Sequence, residues 1–503
     1  MMQRLLSYLK PAKLSWFERH FILTLLIGAV ITMLLSLLIG LRQSVWFDEA
    51  YSIMLAKQSW SHLIYLTSID THPPLYYLLL KVWAVVFGWG ELALRSLSIL
   101  AAGGAVVFAG LLVRRMFGVR AALIALAFVV FAPFLLRYGF EIRMYSLGSL
   151  IGIAATYILV HAVDTKDKRQ AWKLWTTYAV LVALGVYTLY YTALLWIAHL
   201  LWLTWITYKR KQPLLNAPWL LSYAGAVVLF LPWLPTFLKQ MGNGALAPIA
   251  QAMTLENLLG IVSFSFVYQP IWQLSALVSL IVLFVLIMIG YLSVAAFKRV
   301  KIGQRPYLVL LALYILVPIA VLAVVGFMRP MYVERYLAHI MIGGSLFMGV
   351  AAALVYPKAS QMMRVLIVTL GSVLVIGVAQ LVSVGNFNFQ RLHYPQIKQA
   401  TATISCTDSA VVLAADPYVA IELAYYLPSC PVRFYNETAK LSGGYAPLSD
   451  NPLHTSNPAI DLQDARAIYY VYYDQPKLMM PDTLHLDRKT TYGPLTVDLF
   501  TAE

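Results

Sequence analysis

The chain has 503 residues, 61% of them hydrophobic and 12% charged, with a mean hydropathy of +0.74. That composition excludes a soluble globular protein and describes a chain that crosses a bilayer many times. The net charge of +15 would suggest a nucleic-acid partner in a soluble chain, but no nucleic-acid motif accompanies it, and Lys and Arg in short loops between apolar runs mark cytoplasmic loops instead.

Residues 1–20 are basic, and 21–41 form an apolar run long enough to span. No small-residue cleavage site follows, so an uncleaved first helix with a cytoplasmic N-terminus is expected. The loop after it, residues 42–91, is then extracytoplasmic. It carries Asp48 and Glu49 in WFDEAYS, then Asp70 and His72 in IDTHPPLYY. A carboxylate in hydrocarbon costs about 2.5–3.5 kcal/mol, so acids this near the bilayer sit either in a solvated loop or in a site.

Residues 73–88 would make a helix of roughly 23 Å against a hydrocarbon core of roughly 30 Å, and they include Lys81. With His72 as N-cap and Pro73 at the first helical position, this reads as a juxtamembrane helix on the outer face. Ten further spans follow at about 92–113, 119–136, 146–163, 174–189, 190–207, 217–237, 273–296, 306–327, 338–356 and 364–384, which with the first makes about eleven. The loops this places inside hold sixteen Lys and Arg, and those it places outside after residue 113 hold five. Counting 73–88 as a span would invert that balance, against the positive-inside rule. Residues 174–207 would be roughly 50 Å long as one helix, so they divide into two near residues 185–191.

After residue 385 the composition turns mildly acidic, with eight Lys and Arg against twelve Asp and Glu. Strands are expected at 411–415, 432–435, 467–473 and 495–500, with a helix at 416–427 capped by Asp416 and carrying Pro417 in its first turn. The fold class is therefore an all-α polytopic membrane module, residues 1–385, with a small extracytoplasmic α/β domain, residues 386–503. Cys406 and Cys430, the only cysteines, are either free thiols or one disulfide, and an extracytoplasmic location favours the bridge.

This topology collects distant residues on the outer face: Asp48, Glu49, Asp70 and His72; Arg95 where the second span begins; Glu141, Arg143 and Tyr145 in RYGFEIRMYS; and Arg329, Glu334 and Arg335 in MRPMYVERYLAH. The acids and arginines could simply pair with one another or cap helices. As a set they have a chemical use. A carboxylate can take the proton of an acceptor hydroxyl while guanidinium groups hold a phosphate leaving group. In a lipid-linked sugar that phosphate sits at membrane-surface depth.

With these residues in view, WFDEAYS…DTHPPLYYLLLKVW…GELALRSLSIL…RRMFG…EIRMYSL, over about residues 40–150, and the later VERYLAH resemble the membrane glycosyltransferases of the GT-C superfold. The likeness is to bacterial relatives of the protein O-mannosyltransferases and of the lipid A aminoarabinose transferase. The resemblance implies a polyprenyl-phosphate-sugar donor and inverting transfer of a hexose or pentose, on the extracytoplasmic side, to a glycan, lipid or protein hydroxyl. It implies Asp48 as general base with Glu49 adjacent, Glu141 and Arg143 as site architecture and phosphate contact, and Arg335 near the donor phosphate. The aminoarabinose transferases place Lys before the proline of the Pro-helix motif, where this chain has His72. That residue could meet phosphate, orient Asp48, or with Asp48 and Asp70 ligate a divalent cation such as Mg2+ or Mn2+, which some members of the superfold use and others do without. A ligase or polymerase of lipid-linked oligosaccharides is the enzymatic rival, separated by donor size. A transporter would show paired half-repeats and ionisable residues at the bilayer midplane, and the sequence shows neither.

Overall fold

The computed structural model describes residues 16–502 apart from 215–216, 243–249, 269–274, 327, 385, 389–390, 394–395, 407–409, 436–440, 442, 456–464, 477, 479 and 481–482. Most of the expected basic N-terminal stretch, the first two residues of the expected span 273–296 and the last of 306–327 lie outside the described residues.

The helices in chain order are α1 (Phe21–Leu41), α2 (Phe47–Lys57), α3 (Trp60–Ile69), α4 (Leu75–Phe87), α5 (Glu91–Phe117), α6 (Val119–Val130), α7 (Pro133–Gly139), α8 (Tyr145–Asp164), α9 (Lys168–Thr188), α10 (Thr192–Lys209), α11 (Pro218–Phe230), α12 (Leu234–Gly242), α13 (Leu255–Phe266), α14 (Ala276–Arg299), α15 (Arg305–Gly326), α16 (Ala338–Val355), α17 (Gln361–Val384), α18 (Gln396–Thr401) and α19 (Pro417–Tyr426). Among the described residues eight helical segments are long and apolar enough to cross a membrane, or nine if the bent pair α6–α7 counts as one. The other two expected spans are α9 and α10, of 21 and 18 residues, whose Trp, Tyr, His and Lys content makes them less apolar. Every expected span is thus helical, and the chain is a multi-pass membrane protein. The segment expected to lie beside the membrane is the 13-residue α4, shorter than a spanning helix needs.

Two details differ from expectation. The segment 119–136 is no single rod: it bends by 59° between α6 and α7. Pro133 brings no N–H and forces Ala132 out of the helical region, with ψ 110°. Helix α4 starts two residues later than the motif suggests, with Pro74 and not His72 at the N-cap position. The expected division of 174–207 is present, with α9 ending at Thr188 and α10 starting at Thr192. Gly185 permits that hairpin, because a Cβ there would lie 2.6 Å from the Trp196 ring.

Two compact units make up the chain. The first contains residues 1–39, 95–235 and 249–384. Its interior is Ala-, Leu- and Val-rich, and small residues set the helix spacing. At Gly349 of α16 a Cβ would meet the Ala125 Cα of α6 at 2.5 Å. One end of this unit gathers basic loops. Asp164 takes Arg115 at 3.3 Å and Arg210 at 3.8 Å, and accepts from Tyr307 Oη at 2.7 Å. Arg299 Nη1 donates to the Val355 carbonyl at 2.6 Å, and Arg120 pairs with Glu18. Segments near residues 115, 164, 210, 299, 307 and 355 therefore cluster as an alternating chain of spans requires. A second set of contacts links the connections at the other ends of these helices: Tyr191 Oη donates to the Met331 carbonyl, Trp233 Nε1 to Tyr190 Oη at 2.8 Å and Ser98 Oγ to the Arg143 carbonyl at 3.3 Å.

The second unit contains residues 40–94, 236–248 and 385–503, so the first loop packs with the C-terminal residues. Its six-stranded sheet has the order β5-β4-β3-β6-β8-β7, with β3 (Ala410–Ala414), β4 (Val432–Tyr435), β5 (His454–Thr455), β6 (Ala467–Tyr473), β7 (Leu484–Tyr492) and β8 (Leu495–Ala502). A two-stranded ladder, β1 (Asn386–Asn388) with β2 (Arg391–His393), precedes it. The pairs β3–β4, β3–β6 and β4–β5 are parallel, and β6–β8 and β7–β8 antiparallel. Four strands of this sheet match expectation; the two-residue β5 is missed, and β7 is missed because LHLDRKTTY is mostly exposed and carries Asp487, Arg488 and Lys489. Helix α19 is capped as expected, Asp416 Oδ1 accepting from Val419 N–H at 3.1 Å. Cys406 and Cys430 form a disulfide.

Candidate functional site

The acidic motif forms the first turn of α2 in the second unit. Trp46 is the N-cap in extended conformation, and the motif places Asp48 and Glu49 at the second and third helical positions. Acids there complement the helix dipole. Glu49 is fully buried and turns back, its Oε2 accepting from the Trp46 N–H at 3.3 Å, half of a capping box. Asp48 is 5% exposed, and Ser52 Oγ donates to its carbonyl at 2.9 Å. The other end of α2 is held by Lys81 of α4, whose Nζ donates to the carbonyls of Ala56 at 3.1 Å and Gln58 at 2.6 Å. Lys81 therefore faces α2 rather than lipid.

Helix α3 ends at Asp70, and the next two residues fold back on it. Thr71 Oγ1 lies 2.8 Å from His72 Nδ1 and donates to Asp70 Oδ1 at 3.4 Å, while Asp70 Oδ2 is 3.6 Å from His72 Nδ1. All three are buried. Asp70 and His72 form a pair, but among the described residues no group of three or more His, Cys, Asp or Glu side chains could hold a metal ion, so the expected option of Asp48, Asp70 and His72 as one ligand set is not realised.

The α19 helix presses on this motif. Phe47 and Tyr418 rings lie 4.4 Å apart, and the Val45 N–H donates to Tyr426 Oη at 2.7 Å. Glu422, 4% exposed, accepts from the Phe47 N–H, and its Oε2 has no hydrogen-bond partner among the described residues. Burial pushes its carboxyl well above the usual range, and the charges of Asp416, Glu49 and Asp48 push it further. Sequence reasoning missed Glu422, although it is the lone ionisable carboxylate inside the apolar α19.

The arginines and Glu141 are in the first unit. The bend at Pro133 aims α7 into a tight turn, residues 140–144, where the Arg143 N–H reaches the Glu141 carbonyl at 2.6 Å. Arg137, Glu141, Arg143 and Tyr145 are all buried. Arg137 Nη2 meets Glu141 Oε1 at 3.3 Å across one helical turn and lies over the Tyr138 ring at 4.6 Å. Arg95, also buried, lies over Phe140 at 5.4 Å. Tyr145 links this turn to VERYLAH, its ring 6.3 Å from that of Tyr336, which follows the buried Arg335. Glu334 lies within electrostatic reach of Arg137 and Arg335. Arg329, by contrast, is exposed just past α15. Sequence reasoning did not single out Arg137, although its four-residue spacing from Glu141 was a usable signal. In low dielectric such a gathering of guanidinium groups suits a phosphate oxyanion.

A family model described as dolichyl-phosphate-mannose-protein mannosyltransferase matches residues 71–235, which include His72, Arg95, Glu141, Arg143 and Tyr145. A search of curated proteins finds no match. Among solved structures, apo ArnT from Cupriavidus metallidurans is similar with a TM-score of 0.60 at 13% identity, covering 97% of this chain and 98% of that one. The same protein bound to undecaprenyl phosphate gives 0.57 at 12%, with the same coverage. The apo oligosaccharyltransferase of Archaeoglobus fulgidus gives 0.51 at 13%, covering 90% of this chain and 70% of that one. At these identities the likeness speaks for architecture alone, and the chain carries an ArnT-like fold.

Proposed function

We propose that the chain is an integral membrane glycosyltransferase that moves a sugar from a polyprenyl-phosphate donor to an extracytoplasmic acceptor hydroxyl. The observation that carries this reading is a pair of buried charge sets: an acidic helix N-terminus at Asp48, and buried arginines at 95, 137, 143 and 335. Each is costly to bury and each matches one requirement of the reaction. The mannosyltransferase family match supports the class, and the undecaprenyl phosphate bound by the structurally similar ArnT supports the donor lipid.

In this reading Asp48 takes the acceptor proton as the hydroxyl oxygen attacks the anomeric carbon. The carbon–oxygen bond to the lipid phosphate breaks on the opposite face, which inverts the anomeric configuration. The polyprenyl phosphate leaves with the electron pair, and Arg143 and Arg335 neutralise the charge that develops on it. Glu49 caps the helix that carries the base. Asp70, His72, Arg95, Glu141 and Tyr145 shape the donor and acceptor subsites, with Arg329 at the exposed rim. The disulfide supports an oxidising compartment for residues 386–503, and the clustered basic loops support a cytoplasmic face for that end of the first unit.

The test uses purified full-length protein in lipid nanodiscs with a panel of polyprenyl-phosphate monosaccharides, each followed by mass spectrometry with and without chelator. Turnover of at least one donor with release of polyprenyl phosphate is expected. No turnover of any donor, with acceptor mixtures from the cell envelope supplied, would defeat the reading.

A further inference from the structure

The C-terminal residues supply more than cover for the first loop. The N-terminus of α2 has backbone donors that the helix itself cannot satisfy. Glu49 takes the Trp46 N–H, and the next donor along, Phe47 N–H, goes to the Glu422 carboxyl of α19. That carboxyl is buried, with Asp48 and Glu49 facing it from α2 and Asp416 from the start of its own helix. Of the other elements packed on α19, β3 carries no ionisable residue. The Arg433 guanidinium of β4 donates to the Val432 carbonyl, and Lys398 of α18 pairs with Glu91 at 3.2 Å. A third carboxylate charge held against Asp48 and Glu49 would be strongly opposed, whereas a neutral carboxyl keeps an acceptor for Phe47 N–H and carries no charge.

We propose that Glu422 is a positioning residue: its buried carboxyl, accepting from the Phe47 N–H, caps α2 from α19 and fixes the backbone from which Asp48 projects. This rests on the proposed role of Asp48 for its functional meaning, while the structural assignment stands on its own. The sign of the linkage follows from burial. A carboxyl held above its unfolded value keeps its proton in the folded state after the unfolded chain has lost it. Its contribution is therefore present in full below the unfolded value and is lost as pH rises toward the folded one.

The experiment compares full-length wild type, Glu422→Gln and Glu422→Leu in detergent. Reversible unfolding is followed between pH 5 and pH 8, with hydrogen exchange of a peptide covering residues 45–55. Wild type should lose stability relative to Glu422→Gln as pH rises, the direction that a carboxyl raised by burial requires. Exchange in 45–55 should rise several-fold in Glu422→Leu and stay near wild type in Glu422→Gln, because Gln also presents an acceptor oxygen. Where transfer is measurable, Glu422→Leu should lower kcat with little change in donor KM, and Glu422→Gln should restore it. Parallel pH curves for wild type and Glu422→Gln would show an ionised Glu422 and overturn the assignment. Equal exchange in Gln and Leu variants would remove the cap. If wild type turns over no donor, the glycosyltransferase reading fails, and the stability and exchange data still decide the role of Glu422.

Discussion

Replacing Arg137 by Met should destabilise the first unit severely, and the size of the loss is set by the ion pair it breaks. Arg137 and Glu141 side chains are 1% and 0% exposed, with Nη2 and Oε1 3.3 Å apart. At an effective dielectric of about 20, two unit charges at that distance attract by about 5 kcal/mol. Removing the cation leaves Glu141 a buried anion without this partner, which costs about 3–5 kcal/mol. Removing both charges, in Arg137→Met with Glu141→Gln, should recover most of that. The assay is chemical unfolding of all four proteins in detergent micelles, followed by tryptophan fluorescence. A coupling of about 3 kcal/mol is expected from the cycle. If the single losses add to within about 0.5 kcal/mol, the pair is not an energetic unit and the reasoning is refuted.

Other perturbations separate helix capping, packing, cross-linking and phosphate contact. Glu49→Ala should cost about 0.5–2 kcal/mol in unfolding assays by exposing the Trp46 N–H, and no loss would mean the cap is idle. Gly349→Val should block correct packing of α16 on α6, because the new Cβ meets Ala125 backbone at 2.5 Å, and monodisperse protein with wild-type Tm would contradict that contact. Cys406→Ser should lower stability by about 2–4 kcal/mol under oxidising conditions and leave the reduced protein unchanged, checked by denaturant titration with and without reductant. Arg143→Ala and Arg335→Ala should each slow transfer by about 10²–10³, read from initial rates at saturating acceptor; normal rates in both would remove them from the phosphate site.

Much of the architecture was legible because membrane topology is written in simple physics. Apolar runs of span length and the loop Lys and Arg balance located the helices. They also excluded 73–88 as a span and required 174–207 to divide, a turn made feasible by the clearance at Gly185. Local rules failed where the outcome depends on a distant partner. Pro133 could have been read as a break, but its 59° bend and the turn it creates for Arg143 depend on packing. His72 has the chemistry of an N-cap, yet it engages Thr71 and Asp70, and the helix starts after both prolines. Strand β7 has few apolar residues because it is an edge strand paired only with β8. Of the candidate site, the motif residues were visible as chemistry without geometry. Glu422 was invisible because its meaning comes from α2, about 370 residues earlier in the chain.

The most direct measurement is transfer by wild type and Asp48→Asn side by side, on a donor that wild type turns over, with donor binding measured on the same samples. Asn keeps the size and hydrogen-bonding shape of Asp but cannot take the acceptor proton. The account predicts unchanged donor affinity and transfer reduced by about 10²–10⁴. Transfer at the wild-type rate would contradict it, because the chemistry would then need no base at Asp48.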